Sequence, residues 1–332
     1  MIRRFARELQ DLPSIAPHRR GGSPVTVRNP GAPWAPPMAA GPARRSPLLA
    51  GIGFGLGAFL LLAGQDATIK VLAATLALPL ILTVRSLAIL GVGLAVGGRH
   101  LLRAVFRSPV RGLLLRRAVV TLGAWSAYFT AARSLPLGQL SAFQFLSPLL
   151  VVLAAGALLG EPSSWRHRLL VLLGTAGALI SGGSLGIELQ PALLLALTAA
   201  VLWAYACILT RRIARTEGPL VQLTATHLMF LAVMAPLALV APAMPAPAEM
   251  PLLLLAALLG GAGQFALFSA ARHVPAPIMA PLEYTTLLWS FILGYIVWGN
   301  VPGLLILLGA GLVAVSCAGS LAGVRRAAAA AG

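Results

Sequence analysis

A few ionisable side chains interrupt the long apolar runs of this 332-residue sequence, and these residues are the ones that could do chemistry. Glu283 lies in one apolar run, and Asp66, Lys70 and Arg85 lie in two others. An ionisable group within a membrane span is costly and is by default a candidate for function. We expect Glu283 to bind a cationic part of a solute or to take up a coupling proton. A structural pairing with a nearby arginine is the alternative.

The other three charged groups could form a gate. Asp66 and Lys70 are four residues apart, so they share one face of a helix and can pair with each other. Arg85 lies too deep in its run to reach the membrane surface easily, and it could pair with Asp66 from the adjacent helix. An outer gate and a purely architectural ion pair are equally consistent with this pattern. His227 fits a packing residue better than a substrate ligand.

Several kinds of chemistry lack the residues they need. Carboxylates are not clustered as Mg²⁺ ligands, histidines are not paired, and Cys207 and Cys317 lie apart without metal-ligand spacing. We therefore expect no enzyme activity, no metal and no cofactor. There is no nucleotide-binding loop, which argues against direct ATP-driven pumping. The net charge of +17 comes from arginines scattered between apolar runs rather than from a patch, so we expect no nucleic-acid partner.

The elements that position these groups are predicted to be membrane-spanning helices. Hydrophobic residues make up 58% of the sequence and charged residues 10%, with a mean hydropathy of +0.89, which requires lipid as a solvent. A span needs about 20 mainly apolar residues. The fold class is therefore an all-α integral membrane protein. Ten spans are predicted near residues 48–69, 78–98, 118–133, 137–159, 168–186, 190–210, 219–241, 250–271, 275–298 and 301–323.

Positive charge predicts the orientation. With a cytoplasmic N-terminus, the inner segments hold fourteen arginines and the outer loops hold only Lys70 and Arg133, so both termini are placed in the cytoplasm of a bacterial inner membrane. Residues 1–46 are predicted to be a disordered basic tail, in which Met38 is an alternative start, and residues 324–332 a short cytoplasmic tail. The inner arginines are Arg99, Arg103, Arg107, Arg111, Arg116, Arg117, Arg166, Arg168, Arg211, Arg212, Arg215, Arg272, Arg325 and Arg326.

The sequence also contains an internal repeat. At an offset of 139 residues, the segment 129–133 matches 268–272, and after a shorter loop Gly174 matches Gly309 and Ser181 matches Ser316. Residues 48–186 and 190–323 thus form two predicted five-helix units. Since five is odd, the units enter the membrane from opposite sides and form inverted repeats, which suits alternating access. The same offset places Gln144 opposite Glu283.

A series of short motifs runs in a fixed order through residues 48–323. They are Gln65–Lys70, Arg85, Ser134–Gly138, Leu158–Pro162, Ala280–Trp289, Gly294–Tyr295 and Val301–Pro302. In order and spacing they resemble EamA-type members of the drug/metabolite transporter superfamily. The resemblance implies a ten-helix bundle with a central substrate cavity between two halves. It also places Trp125, Gln264, Tyr284 and Trp289 in spans that surround this cavity, although Trp and Tyr also collect at membrane interfaces.

The predicted function is secondary, ATP-independent export of small polar metabolites, such as amino acids or related compounds, by alternating access. An uptake carrier for an S-adenosylmethionine-like or vitamin-like solute is one alternative, and a channel or lipid flippase is another. The expected partners are a small-molecule substrate, membrane lipid and a coupling proton, and a homodimer remains open. Glu161 lies beside Arg166 and Arg168 and is interpreted as a loop brace rather than a binding residue.

Overall fold

The computed structural model describes residues 47–131, 134, 143–181, 191–240, 245–299 and 303–329, and within these ranges the regular elements are all helices. The predicted N-terminal tail, with Met38, lies outside the described residues, as does Arg133. The α-helices are α1 Pro47–Leu72, α2 Leu78–Gly97, α3 His100–Arg107, α4 Arg111–Ala131, α5 Ser147–Leu159, α6 Trp165–Ser181, α7 Pro191–Ala214, α8 Pro219–Leu239, α9 Met250–His273, α10 Ala276–Met279, α11 Thr285–Trp298 and α12 Leu304–Ala329. Short 3₁₀ segments cover Pro247–Glu249 and Ala280–Tyr284.

A helix occupies each of the ten predicted spans, but not all of these helices have the length and composition of a full crossing. Within the described ranges, seven segments are long and apolar enough to span a membrane: Pro47–Leu72, Leu78–Gly97, Pro191–Ala214, Pro219–Leu239, Pro247–His273, Ala276–Val297 and Leu304–Gly323. Helices α5 and α6 are shorter, at 13 and 17 residues, and α4 carries arginines. The all-helical membrane fold is confirmed, and the count of ten crossings stays a prediction.

Two segments that the sequence analysis treated as connections or tails are helical. The arginine-rich stretch after α2 contains α3, whose Leu101 and Val105 are buried while Arg103 and Arg107 are exposed. This amphipathic pattern escaped a search for apolar runs, because each turn carries an arginine. Part of the predicted tail at 324–332 is also helical, since α12 continues without a break through Ala329.

The core is built from four main helix pairs. Helix α1 packs along α9, α4 along α7, α2 along α8, and α6 along α12. Each pair thus joins a helix from residues 47–181 to a helix from residues 191–329. The two sequence halves are therefore not separate bundles, and the interior of the protein lies between them.

Glycines bring α1 close to α9 and α10. A Cβ atom built on Gly51 would lie 2.7 Å from Cγ2 of Val274, and one on Gly55 would lie 2.9 Å from Cδ1 of Leu282. The intervening Gly53 and Gly57 have no atom within 4 Å of such a Cβ. Close packing along this part of α1 is thus confined to Gly51 and Gly55. Only the pair spaced by four residues faces a neighbour, as helical periodicity requires.

The closest backbone approach that involves α12 is also made by glycines. A Cβ on Gly177 would lie 2.6 Å from the carbonyl oxygen of Gly309. A Cβ on Gly309 would overlap the carbonyl oxygen of Gly177 and the hydroxyl of Ser181. One turn earlier in α6, a Cβ on Gly174 would lie 2.6 Å from Oγ of Ser316. Helices α6 and α12 therefore contact each other backbone to backbone.

Polar contacts between connecting segments segregate to the two ends of the bundle. At one end, the hydroxyl of Ser108 donates to Oε1 of Glu217 at 2.6 Å. At the other end, Thr75 donates to Oε1 of Glu249 at 2.5 Å, and the other carboxylate oxygen accepts the backbone N–H of Ala246. These contacts link loops that the charge pattern assigns to the same side of the membrane.

Substitution of Gly309 by Ala should destabilise the protein. The added methyl group would meet backbone atoms of α6, which cannot rotate away, so we expect a loss of about 1–3 kcal/mol in unfolding free energy. The matched control is Gly311→Ala on the same helix, where a Cβ has open space. Helix propensity alone should make that control neutral or slightly stabilising. Unfolding of the two variants in detergent tests this packing, and equal effects would contradict it.

Candidate functional site

The chain between α9 and α11 departs from a regular helix, and this break creates the site. Pro275, Pro277 and Pro281 lack backbone donors, and the segment forms the four-residue helix α10 followed by the 3₁₀ turn Ala280–Tyr284. Irregular backbone at membrane depth is tolerated where protein or a wet cavity satisfies its polar groups. All five residues of the 3₁₀ turn are buried, so its partners come from other helices.

Side chains of other helices bind two carbonyl groups of the broken segment. Pro281 cannot donate to the carbonyl of Pro277, and Nε2 of His167 lies 2.7 Å from this oxygen instead. The carbonyl of Pro281 accepts the Cys317 thiol at 3.0 Å. Helices α6 and α12 therefore hold the broken segment in place from the side opposite to the cavity described below.

Glu283 is held in this turn among neutral partners. Glu283 is 8% exposed, and Nε1 of Trp203 in α7 donates a hydrogen bond to its Oε1 atom at 2.8 Å. The Gln144 side chain also interacts with the carboxyl group. The structure thus brings together the two residues that the repeat offset had paired. In the described part of the chain, Glu283 forms no ion pair with an arginine, so the structural alternative for this residue is not what the structure shows.

Glu283 lines a cavity of about 490 Å³, counting all empty space between its walls and at its mouth. The wall is largely apolar, with Phe59, Leu267 and Val274, and its polar atoms belong mainly to Glu283, Trp203, Cys207, Thr210 and Arg211. Small-molecule sites likewise combine apolar walls with a few placed polar groups. The cavity reaches from Glu283 towards Arg211, near the end of α7.

Arg117 stands behind the cavity wall, where the sequence analysis had placed a cytoplasmic loop. It lies in the second turn of α4 and is 3% exposed. Its Nε donates to the Thr210 hydroxyl and its Nη1 to the Thr226 hydroxyl, both at 2.6 Å, and its Cζ lies 4.4 Å from the centroid of the Phe268 ring. A buried cation is thus bound by neutral hydroxyl groups and an aromatic face. The assignment of Arg117 to the inner loop is corrected.

A second polar cluster surrounds Arg85, which is completely buried in α2. The guanidinium lies over the Trp125 ring at 4.9 Å from its centroid. Gln264 interacts with His227, whose Nδ1 lies 3.0 Å from the Ser86 hydroxyl. Trp125 and Gln264 are thus brought to this cluster, and they are not among the residues that line the Glu283 cavity.

Asp66 and Arg85, two of the proposed gate residues, occupy neighbouring positions. Asp66 accepts a hydrogen bond from Nε2 of Gln65 at 3.0 Å and is attracted electrostatically by Arg85. In the part of the chain that the structure describes, no direct ion pair joins Asp66 to Arg85. The expected contact between Asp66 and Arg85 is therefore a longer-range attraction. Lys70 is exposed in the last turn of α1.

Two further candidates take positions outside the cavity wall. Tyr284 is completely buried on the side of α6, where its hydroxyl donates to the Val171 carbonyl at 3.1 Å and lies 2.7 Å from Oγ1 of Thr175. The hydroxyl group of Tyr284 is thus used in helix packing, and its part in binding stays a prediction. Trp289 is half-buried in α11 and does not line the cavity either.

Glu161 closes one end of the bundle. Its Oε1 accepts from Nε of Arg211 and from Nη2 of Arg215, both at 2.8 Å, and its Oε2 accepts the backbone N–H of Ala276 at 2.8 Å. Arg211 also donates to the Ala271 carbonyl at 2.6 Å. This group of contacts, which we call the Glu161 clasp, joins α7, the end of α9 and the start of α10 to the loop after α5. The brace assignment of Glu161 agrees with this geometry.

Glu161→Gln should lower the unfolding free energy by roughly 2–4 kcal/mol, because an amide has one acceptor oxygen whereas both carboxylate oxygens accept charged or backbone donors. Arg215→Gln is the matched comparison. The side chain of Arg215 is 47% exposed, so its pair is screened by solvent and should contribute less than about 1 kcal/mol. Chemical unfolding in detergent measures both values. A larger loss for Arg215→Gln than for Glu161→Gln would refute this ranking.

Sequence reasoning missed the residues that complete the cavity around Glu283. Arg117 was hidden by its neighbour Arg116, because a pair of arginines is typical of an inner loop. Trp203, Cys207 and Thr210 lie on one face of α7 at spacings of four and three residues, and this polar face was the available signal. In the described part of the chain, no three His, Cys, Asp or Glu residues come together as a metal site.

Comparison with known proteins identifies one family. The sequence model of the EamA-like transporter family matches residues 190–322. One protein of known crystal structure is 23% identical to this chain in sequence. The two structures superpose with a TM-score of 0.70, and the match covers 86% of this chain and 99% of the other. At this identity the likeness shows a shared fold and no more. No curated protein matches the sequence.

Proposed function

Residues 190–322 form an EamA-like transporter family domain of the drug/metabolite transporter superfamily, and from this premise we propose what the chain carries and how. The chain is a multi-pass membrane protein and a secondary membrane transporter. The proposal is that it exports small polar metabolites that bear a cationic group, such as amino acids or related compounds. Alternating access moves the solute through the cavity at Glu283.

The observation that carries this proposal is a carboxylate in a mostly apolar cavity, to which no described residue adds a cationic partner. Trp203 and Gln144 orient the Glu283 carboxyl group but leave its charge uncompensated. A buried charge of this kind is stabilised when an opposite charge arrives. An ammonium group of the solute supplies that charge, and the indole of Trp203 and the ring of Phe59 add aromatic surface next to it.

The far wall of the cavity suits an anionic end of the same solute. Thr210 and Arg211 line the cavity, and Arg117 donates to the Thr210 hydroxyl from behind. Cys207, between these groups, lies within electrostatic range of both Glu283 and Arg117. A negative pole and a positive pole on the two sides of one small cavity match a zwitterion, in which ammonium and carboxylate groups are a few bonds apart.

A coupling proton fits the same carboxyl group. Because the partners of Glu283 are neutral, its protonation breaks no ion pair, and the proton can exchange with a cationic solute at one position. Transporters of this kind place substrate and coupling-ion sites near the bilayer midplane, at the interface of their repeats and next to interrupted helices. The broken segment from Pro275 to Tyr284 is such an interruption.

The helix pairing supports an inverted repeat as the basis of alternating access. In the proposed repeat, the helices α1, α2, α4, α5 and α6 correspond in order to α7, α8, α9, α10–α11 and α12. Under this correspondence the packed pair α1 and α9 becomes the pair α7 and α4, which is also packed. The pairs α2 with α8 and α6 with α12 map onto themselves. The contact of Gly174 with Ser316 likewise exchanges with that of Gly309 with Ser181. We propose ten crossings in two five-helix units on this basis.

The orientation we propose places the Glu161 clasp and the Arg211 end of the cavity on the cytoplasmic side of a bacterial inner membrane, with both termini cytoplasmic. The clasp joins three of the arginine-bearing connections on that side. Asp66, Lys70 and Arg85 then lie towards the outer side, where a change in their spacing would open or close the other access route. Opening inwards requires the clasp to loosen.

Cysteine labelling in whole cells tests this orientation. In a background with Cys207→Ser and Cys317→Ala, we expect Arg103→Cys and Thr216→Cys to react with a membrane-permeant maleimide and not with an impermeant one. Ala248→Cys, on the connection at the opposite end, should react with both reagents. All three positions are exposed. Reaction of only one of the first two with the impermeant reagent would rule out the shared side, and with it the inverted arrangement.

Metabolite measurement in cells tests the transport proposal. Overproduction of the wild-type protein should change the internal level of a solute with an ammonium group, downwards for export and upwards for import. A rise in the internal level of an S-adenosylmethionine-like solute would favour the uptake alternative. The anionic and aromatic cavity wall also suits such a solute. Inactivation of the chromosomal gene should change the same solute in the opposite direction.

Glu283→Gln should abolish this change, with transport reduced at least tenfold, because the amide cannot carry the charge that binds the solute or the proton. Glu249→Gln is the control, since it removes an acidic group in a connection far from the cavity, and it should transport normally. Membrane-inserted amounts of both variants are measured by quantitative blotting. Unaltered transport by inserted Glu283→Gln protein would exclude this role.

Counterflow in proteoliposomes separates the carrier from a channel or a lipid flippase. A carrier loaded with unlabelled solute should take up labelled solute transiently above equilibrium, with saturation, because loaded forms exchange across the membrane. A pore gives no such overshoot. The solute identified in cells is the probe, and protein-free vesicles provide the background.

A further inference from the structure

The buried guanidinium of Arg85 is the strongest feature that the Glu283 cavity does not include. Arg85 is 0% exposed, and its Nε, Nη1 and Nη2 atoms find no hydrogen-bond partner among the described residues. A guanidinium carries five N–H donors. Burial of such a charge without hydrogen bonds costs several kcal/mol, so a sequence that keeps it here must use its donors in some state of the protein.

The walls around this guanidinium are neutral and closely fitted. A Cβ on Gly260 of α9 would lie 2.7 Å from Nε and 2.9 Å from Nη2 of Arg85, and it would overlap Oε1 of Gln65. The glycine thus lets both polar side chains lie against the helix backbone. Trp125 covers the guanidinium with its ring, which leaves the donors at the guanidinium edge.

Two further polar atoms nearby are unpartnered in the described part of the chain. They are Oε1 of Gln65 and Nε2 of His227. Because Nδ1 of His227 lies next to the Ser86 hydroxyl, a tautomer with hydrogen on Nε2 adds another donor. Asp66 attracts Arg85 electrostatically but does not form an ion pair with it. The positive charge is therefore only partly balanced.

We propose that Arg85 is the centre of a binding site for a small anionic group, between α1, α2, α4, α8 and α9. A planar guanidinium edge with unused donors matches a carboxylate or another compact anion through paired N–H donors. The ligand is either the carboxylate of a solute or a free inorganic anion. The site is separate from the Glu283 cavity, and the inference does not depend on transport or on the proposed function.

Thermal unfolding of purified protein in detergent tests this site without a transport assay. Sodium formate or sodium chloride replaces sodium gluconate stepwise at constant sodium concentration, so that the small anions compete against a bulky one. The wild type should gain roughly 2–4 °C in Tm at saturation, as expected for weak binding to the folded state. Tryptophan fluorescence should change in parallel, because Trp125 stacks on Arg85, and Trp125→Phe should remove this change.

Arg85→Gln should lose the anion-dependent rise in Tm completely. Arg103→Gln, which removes an exposed arginine of α3, is the matched control and should keep the rise. A response to formate alone would identify a carboxylate as the ligand, and an equal response to chloride would identify a small inorganic anion. Equal responses of Arg85→Gln and Arg103→Gln, or no response of the wild type, would overturn the proposal.

Arg85→Lys keeps the test decisive if Arg85→Gln does not fold. Lysine retains the positive charge but lacks the paired donors of the guanidinium, so formate should bind at least tenfold more weakly than to the wild type. A general effect of charge or ionic strength on stability would leave the formate midpoint unchanged in this variant, and that result would also count against the site.

Discussion

Lipid offers no hydrogen bonds to the backbone, and the architecture of this protein depends on how it deals with that constraint. Regular helices satisfy their own backbone groups, so most of the chain crosses the apolar layer without other support. The segment from Pro275 to Tyr284 cannot do so, because its prolines remove donors. The side chains of His167 and Cys317 hydrogen-bond to the carbonyl groups of Pro277 and Pro281. This support from other helices allows an irregular turn to hold Glu283 at the cavity.

The same support explains why the two sequence halves interlock. A broken helix on its own would be unstable in lipid. Here α6 and α12 pack against it, and Trp203 of α7 donates a hydrogen bond to Glu283. The backbone contacts made by Gly177 and Gly309 keep the rear helices close. The clasp at Glu161 then fixes one end of the broken segment through the N–H of Ala276. The cavity lining and the packing contacts thus use different residues of one short stretch of chain.

Buried charges in this protein have mostly neutral partners. Glu283 has an indole and an amide, Arg117 has two threonine hydroxyls and a phenyl ring, and Arg85 has an indole face. Such partners orient a charged group without cancelling its field, whereas a direct ion pair would neutralise it. The Glu161 clasp, where arginines and a carboxylate do pair, lies at the end of the bundle. Arg211 belongs to both places, because it pairs with Glu161 and also lines the cavity.

The sequence by itself determined the helical membrane fold, the approximate helix positions and the place of Glu283 inside an apolar segment, because apolar length and the cost of buried charge are local properties. The repeat offset also paired Gln144 with Glu283 before their contact was known. Only the tertiary structure decided which polar groups meet. Arg117 lies in the core instead of a predicted loop, and Tyr284 packs against α6 instead of lining the cavity. Successive residues of a helix point in different directions, so the rotation of the helix decides which neighbour each residue faces. Such facing depends on the rotation and packing of whole helices, which no single segment of sequence contains.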